Sequence, residues 1–123
     1  MILGIGIDVV HVSRLSRWMG QPDLLKRFFH PDELEAIKNK GSSAVLSLAA
    51  RFAAKEAFGK ALGTGIFCIT LKNIQVTNNH NGKPFMTLYG DALDAFKKTG
   101  ASQIHLSLTH ESDNAIAMVV IEG

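Results

Sequence analysis

Apolar and polar positions change period several times along this chain, and each change marks an element. Met1 to Val10 alternates. Leu3, Ile5, Ile7 and Val9 share one face, and Gly4, Gly6 and Asp8 share the other, which predicts a buried strand. Two glycines on one strand face mark close approach by another backbone or by a ligand. His11 to Met19 and Asp23 to Phe29 read as short helices, the second with Leu24, Leu25 and Phe28 toward the core. Pro31 suits the first position of a third helix, with Asp32 and Glu33 in its first turn. A long helix then starts at Ser42 or Ser43, either of which can cap it, and runs to Gly63, where a helix-ending glycine belongs. Leu46, Ala50, Ala53, Ala54, Ala57 and Ala61 form one narrow stripe along it, slim enough to lie close against a neighbour. Leu71 to Thr77 and Phe85 to Tyr89 read as strands joined by a turn over Asn78 to Pro84, signalled by Asn81-Gly82. Asp91 to Thr99 is a helix packing through Leu93 and Phe96 and ending at Gly100. Gln103 to His110 alternates, with Ile104, Leu106 and Leu108 against His105, Ser107 and Thr109. Ala115 to Ile121 is apolar on both faces, which suits a sheet covered twice. A chain of 123 residues has little left to cover it, so a second copy is expected to do so. The fold class is α+β: a short antiparallel sheet packed with a long central helix, in one domain spanning 1–123.

Candidate chemistry gathers between Arg51 and Gly65. Arg51, Lys55, Glu56 and Lys60 stand away from the alanine stripe, with Gly59 bare among them, and Gly63-Thr64-Gly65 follows at once. A carboxylate, three cations and a row of loop N–H groups suit a metal ion and a polyphosphate. The same residues admit a plain structural reading. Glu56 and Lys60 form a favourable i,i+4 pair worth about 0.3–0.5 kcal/mol on an exposed face, and Arg51 and Lys55 would be solvated charges. A P-loop is excluded, because Ala61 follows Lys60 and the glycines come after a helix, not before one. A helix C-terminus repels anions, so a phosphate here would need Lys60, the loop N–H groups and a cation. Asp8 leaves a face almost without side chains, either as a metal ligand or as the cap of the following helix. Arg14, Arg17, Lys26 and Arg27 are a solvated face or a basic docking surface.

Composition narrows the classes. Hydrophobic residues make up 46% and charged residues 20%, which excludes a disordered chain. The net charge of +2, one Trp and one Tyr, with no interleaving of basic and aromatic residues, argue against a nucleic-acid binder. A single cysteine, Cys68, cannot close an internal disulfide, and no Cys/His cluster suggests zinc. The apolar N-terminus lacks a basic n-region and is broken by Asp8, and no apolar run approaches ~18 residues. A soluble cytoplasmic protein without membrane or nucleic-acid partners is expected. A non-catalytic nucleotide-binding module and a plain oligomeric scaffold are the rival classes.

GIGIDVVHVSRL near the start, RFAAKEAFGKALGTG in the middle, then NGKP and HLSLTH resemble the holo-(acyl-carrier-protein) synthase family of small 4′-phosphopantetheinyl transferases, in order and over nearly the whole chain. The resemblance implies transfer of 4′-phosphopantetheine from coenzyme A to a serine of apo acyl carrier protein, with adenosine 3′,5′-bisphosphate as the other product, in support of fatty acid biosynthesis. It implies the 4′-phosphopantetheinyl transferase fold and a homo-oligomer, typically a trimer sharing its sites between neighbours. It makes Asp8 and Glu56 the magnesium carboxylates, and Lys60 the cation on the phosphate facing the serine. Gly63, Thr64 and Gly65 become the phosphate loop. Arg51, Asn81, Gly82, Lys83, Pro84 and His110 are placed toward the nucleotide and its 3′-phosphate. A metal-bound water beside Glu56, or else His110, would accept the serine proton. Arg14, Arg17, Lys26 and Arg27 become the surface for the acidic carrier. His11 departs from the family, which commonly has an acid there.

Overall fold

The computed structural model describes residues 1–67 and 69–123; Cys68 and the disulfide question attached to it lie outside the described residues. A three-stranded antiparallel sheet, in the order β1-β5-β4, is built from β1 (Ile2–His11), β4 (Gln103–Glu111) and β5 (Asn114–Glu122). Asp8 stands opposite Ala117, which stands opposite Leu108, and β1 is an edge strand. Between β1 and a separate antiparallel hairpin, β2 (Ile74–Asn78) and β3 (Pro84–Leu88), come four helices: α1 (Val12–Ser16), α2 (Pro22–Phe28), α3 (Pro31–Ile37) and α4 (Ala44–Leu62). Helix α5 (Gly90–Lys98) leads from the hairpin back to the sheet.

α4 lies along the sheet at backbone distance. A Cβ on Gly4 would fall 1.9 Å from the Ala61 carbonyl oxygen, and one on Gly6 would fall 1.9 Å from that of Ala57. The strand glycines therefore serve another backbone, and the partner is the alanine stripe, of which Ala53, Ala54, Ala57 and Ala61 are buried and Leu46 and Ala50 half-buried. The other sides of α4 are covered too. The Phe52 ring meets Trp18 at 5.1 Å and Phe28 at 6.3 Å, and Phe58 meets Phe96 at 6.4 Å. A helix buried nearly all round is the centre of the core, not its lid.

That close contact overturns the expected burial of β1. Only glycine fits against α4, so the large side chains of the strand point outward, and Ile5, Ile7 and Val9 are 57%, 57% and 58% exposed in the single chain. Met118 on the neighbouring strand joins them. Several boundaries also move. β1 runs on to His11, which holds the N-cap position of α1 with its ring on the Ser13 hydroxyl at 3.4 Å and no bond to a backbone N–H of the helix, so Asp8 caps nothing and the helix covers only five residues. The Ser43 hydroxyl donates to the Lys40 carbonyl at 2.8 Å instead of capping α4, because a 3₁₀ turn at Gly41–Ser43 runs straight into the helix. Phe29, just past α2, is fully buried where Leu24, Leu25 and Phe28 are only half-buried. Another 3₁₀ turn occupies Leu71–Asn73, so β2 starts later than expected. No helix among the described residues is long and apolar enough to cross a membrane.

Candidate functional site

The Gly6–Ala57 contact decides what meets at the open end of α4. Asp8 is the next residue after Gly6 on the inner face of β1, and Glu56 precedes Ala57 on the helix. Lys60, one turn on, reaches back over the strand. Its Nζ donates to Asp8 Oδ1 at 3.1 Å and to the Ile7 carbonyl at 2.9 Å. That carbonyl is free because β1 is an edge strand. The expected Glu56–Lys60 helix pair does not form; Lys60 prefers a carboxylate brought by another element. Glu56 is half-buried, and burial pushes its carboxyl above the ordinary range. The Asp8 charge adds to that rise, while Arg14 and Lys60 pull it back. Glu56 therefore feels the charges of Asp8, Arg14 and Lys60. The Arg14 guanidinium is held over Phe52 at 5.1 Å and Trp18 at 5.7 Å, at the rim of this group.

Two mutually opposed carboxylates with a cation drawn onto one of them fit a divalent ion. Among the described residues no group of three or more His, Cys, Asp or Glu could hold a metal. Mg²⁺ accepts so few protein oxygens when phosphate oxygens and waters complete its shell.

The glycine loop is built differently from expectation. Gly63 ends α4 at φ 84°, a left-handed turn that glycine adopts without strain, and its N–H donates to the Lys60 carbonyl at 3.0 Å. The Gly65 N–H donates to the Gly59 carbonyl at 2.9 Å. Two N–H groups of the loop are thus spent on the last carbonyls of the helix, and the glycines shape the loop instead of offering donors. Gly59 makes the fold-back possible, since a Cβ there would meet Ile66 Cγ2 at 2.7 Å. A glycine inside a helix costs roughly 1 kcal/mol against alanine, so its presence was the signal that something packs on it.

Lys55 and Arg51 are not solvated. The Lys55 side chain is 0% exposed; its Nζ donates to Glu33 Oε1 at 2.7 Å, to the Leu71 carbonyl at 3.0 Å and to the Ile74 carbonyl. Glu33 also accepts the His30 N–H at 2.9 Å and the Val76 N–H at 3.0 Å, and closes a capping box at the start of α3. Arg51 Nε lies 3.9 Å from Glu33, buried and without a hydrogen-bond partner, while Nη1 binds Ser47. Burial lowers the pKa of both cations, and Glu33 opposes the fall. The pairing of Glu33 with Lys55 escaped sequence reasoning because nothing local pairs residues 22 apart.

Arg51 lines a groove of about 390 Å³ with Lys40, Ser47, Thr77 and Asn78, at the base of the hairpin that carries Asn81, Gly82, Lys83 and Pro84. Asn79 builds the tip: its side chain accepts the Asn81 and Lys83 N–H groups, each at 2.9 Å. Gly82 alone of the Asn-Gly pair takes positive φ, at 82°. Arg51 and Lys60 are nine residues apart on α4, roughly 180° around it and ~13 Å along it. One chain therefore brings Asp8, Glu56 and Lys60 together and holds Arg51 and the hairpin elsewhere. His110 is exposed at the end of β4, on the same sheet face as Asp8 with β5 between them, roughly 12 Å away from strand spacing and register. Arg14, Arg17, Lys26 and Arg27 are all exposed.

A family model described as the 4′-phosphopantetheinyl transferase superfamily matches residues 4–119, and the chain belongs to that superfamily. Within it, the chain is 58% identical over 123 residues, the full length of both, to a holo-(acyl-carrier-protein) synthase of Treponema denticola. The crystal structure of the Neisseria meningitidis holo-(acyl-carrier-protein) synthase superposes with a TM-score of 0.86 at 40% identity, covering 100% of each chain. That of the Helicobacter pylori enzyme, solved in complex with coenzyme A, superposes at 0.81 with 30% identity, covering 96% of this chain and 99% of the other.

Proposed function

We propose that this chain is a cytoplasmic holo-(acyl-carrier-protein) synthase that moves 4′-phosphopantetheine from coenzyme A to a serine hydroxyl of apo acyl carrier protein. The observation that carries this reading is the meeting of Asp8, Glu56 and Lys60 where α4 passes the glycine edge of β1. The serine oxygen attacks the phosphorus next to the pantetheine, and the bond to adenosine 3′,5′-bisphosphate breaks. Such phosphoryl transfer depends on positioning and charge stabilisation. Asp8 and Glu56 would hold Mg²⁺, which would supply positive charge to offset that of the pyrophosphate. Lys60, exposed and on a long stem, neutralises the phosphate facing the serine. Glu56, with its raised proton affinity, is the group beside the reacting atoms suited to draw off the serine proton through a water. His110 stands on the same sheet face as Asp8, with Cα atoms roughly 12 Å apart, and is the second candidate to accept the serine proton.

Arg51 and the Asn81–Pro84 hairpin hold the nucleotide, and Arg14, Arg17, Lys26 and Arg27 receive the acidic carrier. Because Arg51 and Lys60 point to opposite sides of α4, the nucleotide half and the phosphate half of a site come from neighbouring copies. The apolar outer face of Ile5, Ile7, Val9 and Met118 supports such a homo-oligomer, a trimer in our reading. The test is to mix the protein, coenzyme A, Mg²⁺ and an apo carrier, and weigh the carrier by mass spectrometry. A gain of one phosphopantetheine is expected. An unchanged carrier mass with coenzyme A bound would favour the nucleotide-binding module.

A further inference from the structure

We infer that Lys60 is an internal cation that occupies the metal seat of the free protein and leaves it when a divalent ion arrives, so that metal loading also delivers Lys60 to the phosphate. The inference rests on the metal reading of Asp8. Two hard oxygens face one point on the free edge of β1, Asp8 Oδ1 and the Ile7 main-chain carbonyl, and the Lys60 ammonium lies 3.1 Å and 2.9 Å from them. Carboxylate and carbonyl oxygens are the donors Mg²⁺ and Mn²⁺ take. The Asp8 side chain is only 17% exposed while that of Lys60 is 54% exposed, so the ammonium is held at its tip and its stem is free to swing. Lys60 passes over its helix neighbour Glu56 to take this position, which puts a cation with a solvated stem on Asp8. A divalent ion drawn to the same two oxygens competes for the lone pairs the ammonium now holds, and its two positive charges repel the ammonium at that distance. A divalent ion on Asp8 therefore expels Lys60. The freed side chain, anchored one turn from Glu56 and next to the loop at Gly63, is then the nearest cation to an incoming phosphate.

The consequence is that Lys60 opposes metal binding in the free protein and supports it once phosphate is present. Titration of the intact protein with MnCl₂ alone, read by the electron paramagnetic resonance signal of free Mn²⁺, separates the two effects. Lys60→Met should bind Mn²⁺ about three- to tenfold more tightly than the wild type without coenzyme A, since it loses a competing ion pair and a like charge. Lys60→Gln should do the same, which guards against an insoluble first variant. Lys60→Arg keeps the charge and should bind no more tightly than the wild type. In the presence of adenosine 3′,5′-bisphosphate the order should reverse, with Lys60→Met gaining least. Mn²⁺ affinity unchanged or weakened in both neutral variants, while Asp8→Asn still loses it, would overturn the exchange and leave the metal site standing. Undiminished Mn²⁺ binding by Asp8→Asn would overturn the metal reading and the exchange together.

Discussion

Replacing Lys55 with methionine tests the buried pair that ties the hairpin to the core. Methionine matches the length and volume of the lysine but brings no charge. Glu33 would keep its bonds from the His30 and Val76 N–H groups, but its full charge would face Arg51 alone, with Nε 3.9 Å away. Removing one partner of a buried pair costs about 3–5 kcal/mol, because the other charge stays buried and uncompensated. The Leu71 and Ile74 carbonyls also lose their donor, at roughly 1 kcal/mol or more each. Against this, Arg51 needs only a small shift to bond Glu33 through its unpartnered Nε, so the lower end of the range is expected, about 3 kcal/mol. For a domain of this size that is roughly 10 °C in Tm. Glu33→Gln retains an acceptor for one of the two N–H groups and leaves Lys55 free to neutralise, and the double variant Lys55→Met/Glu33→Gln should be more stable than the sum of the single losses by at least ~1 kcal/mol. Urea unfolding followed by circular dichroism, at one protein concentration for all four proteins, measures each term. A Lys55→Met loss under ~1 kcal/mol, or strict additivity of the double variant, would refute the claim that these charges stabilise each other in the interior.

Asp8→Asn and Glu56→Gln should each remove most of the positive coupling between Mg²⁺ and coenzyme A in calorimetric titrations, with the double variant little worse than either; two independent losses would show that they do not share an ion. Arg14→Ala should raise the KM for carrier several-fold and disturb that for coenzyme A far less, with the wild type weakening likewise as ionic strength rises; equal losses for both substrates would contradict a carrier-docking role. Ile7→Glu puts a charge into the apolar outer face of the sheet, and light scattering should report its dissociation to monomers with loss of activity; an active monomeric wild type at assay concentration would sink the shared site. Glu56→Gln should raise the Tm of the metal-free protein at neutral pH. The folded-state pKa of Glu56 is raised, so the native state binds the extra proton and loses stability as pH climbs through the window above the unfolded value of about 4.3. The gain should therefore vanish once pH falls below that value, and a pH-independent gain would assign it to packing.

The sequence by itself determined what local physics decides. Gly63 ends the long helix, Pro31 with Asp32 and Glu33 starts another, Asn81-Gly82 turns a hairpin, and strict alternation marks β4. It also carried the motif that names the family, and with it Asp8, Glu56 and Lys60, because those residues are legible one at a time. The tertiary structure decided which face meets which neighbour. Alternation in β1 separated an apolar face from a glycine face, and hydrophobicity alone sends the apolar face inward. The backbone of α4 comes so near that only glycine fits, and the apolar face is left outside. Partner choice was equally out of reach. Local spacing pairs Lys60 with Glu56, but the fold offers Asp8 from 52 residues away, on an edge strand with a free carbonyl beside it. Lys55 sits among charges in the sequence and is nevertheless sealed in the core, since Glu33 arrives from α3 to receive it. Periodicity records the faces of an element; the distances at which elements pack decide which charges find each other.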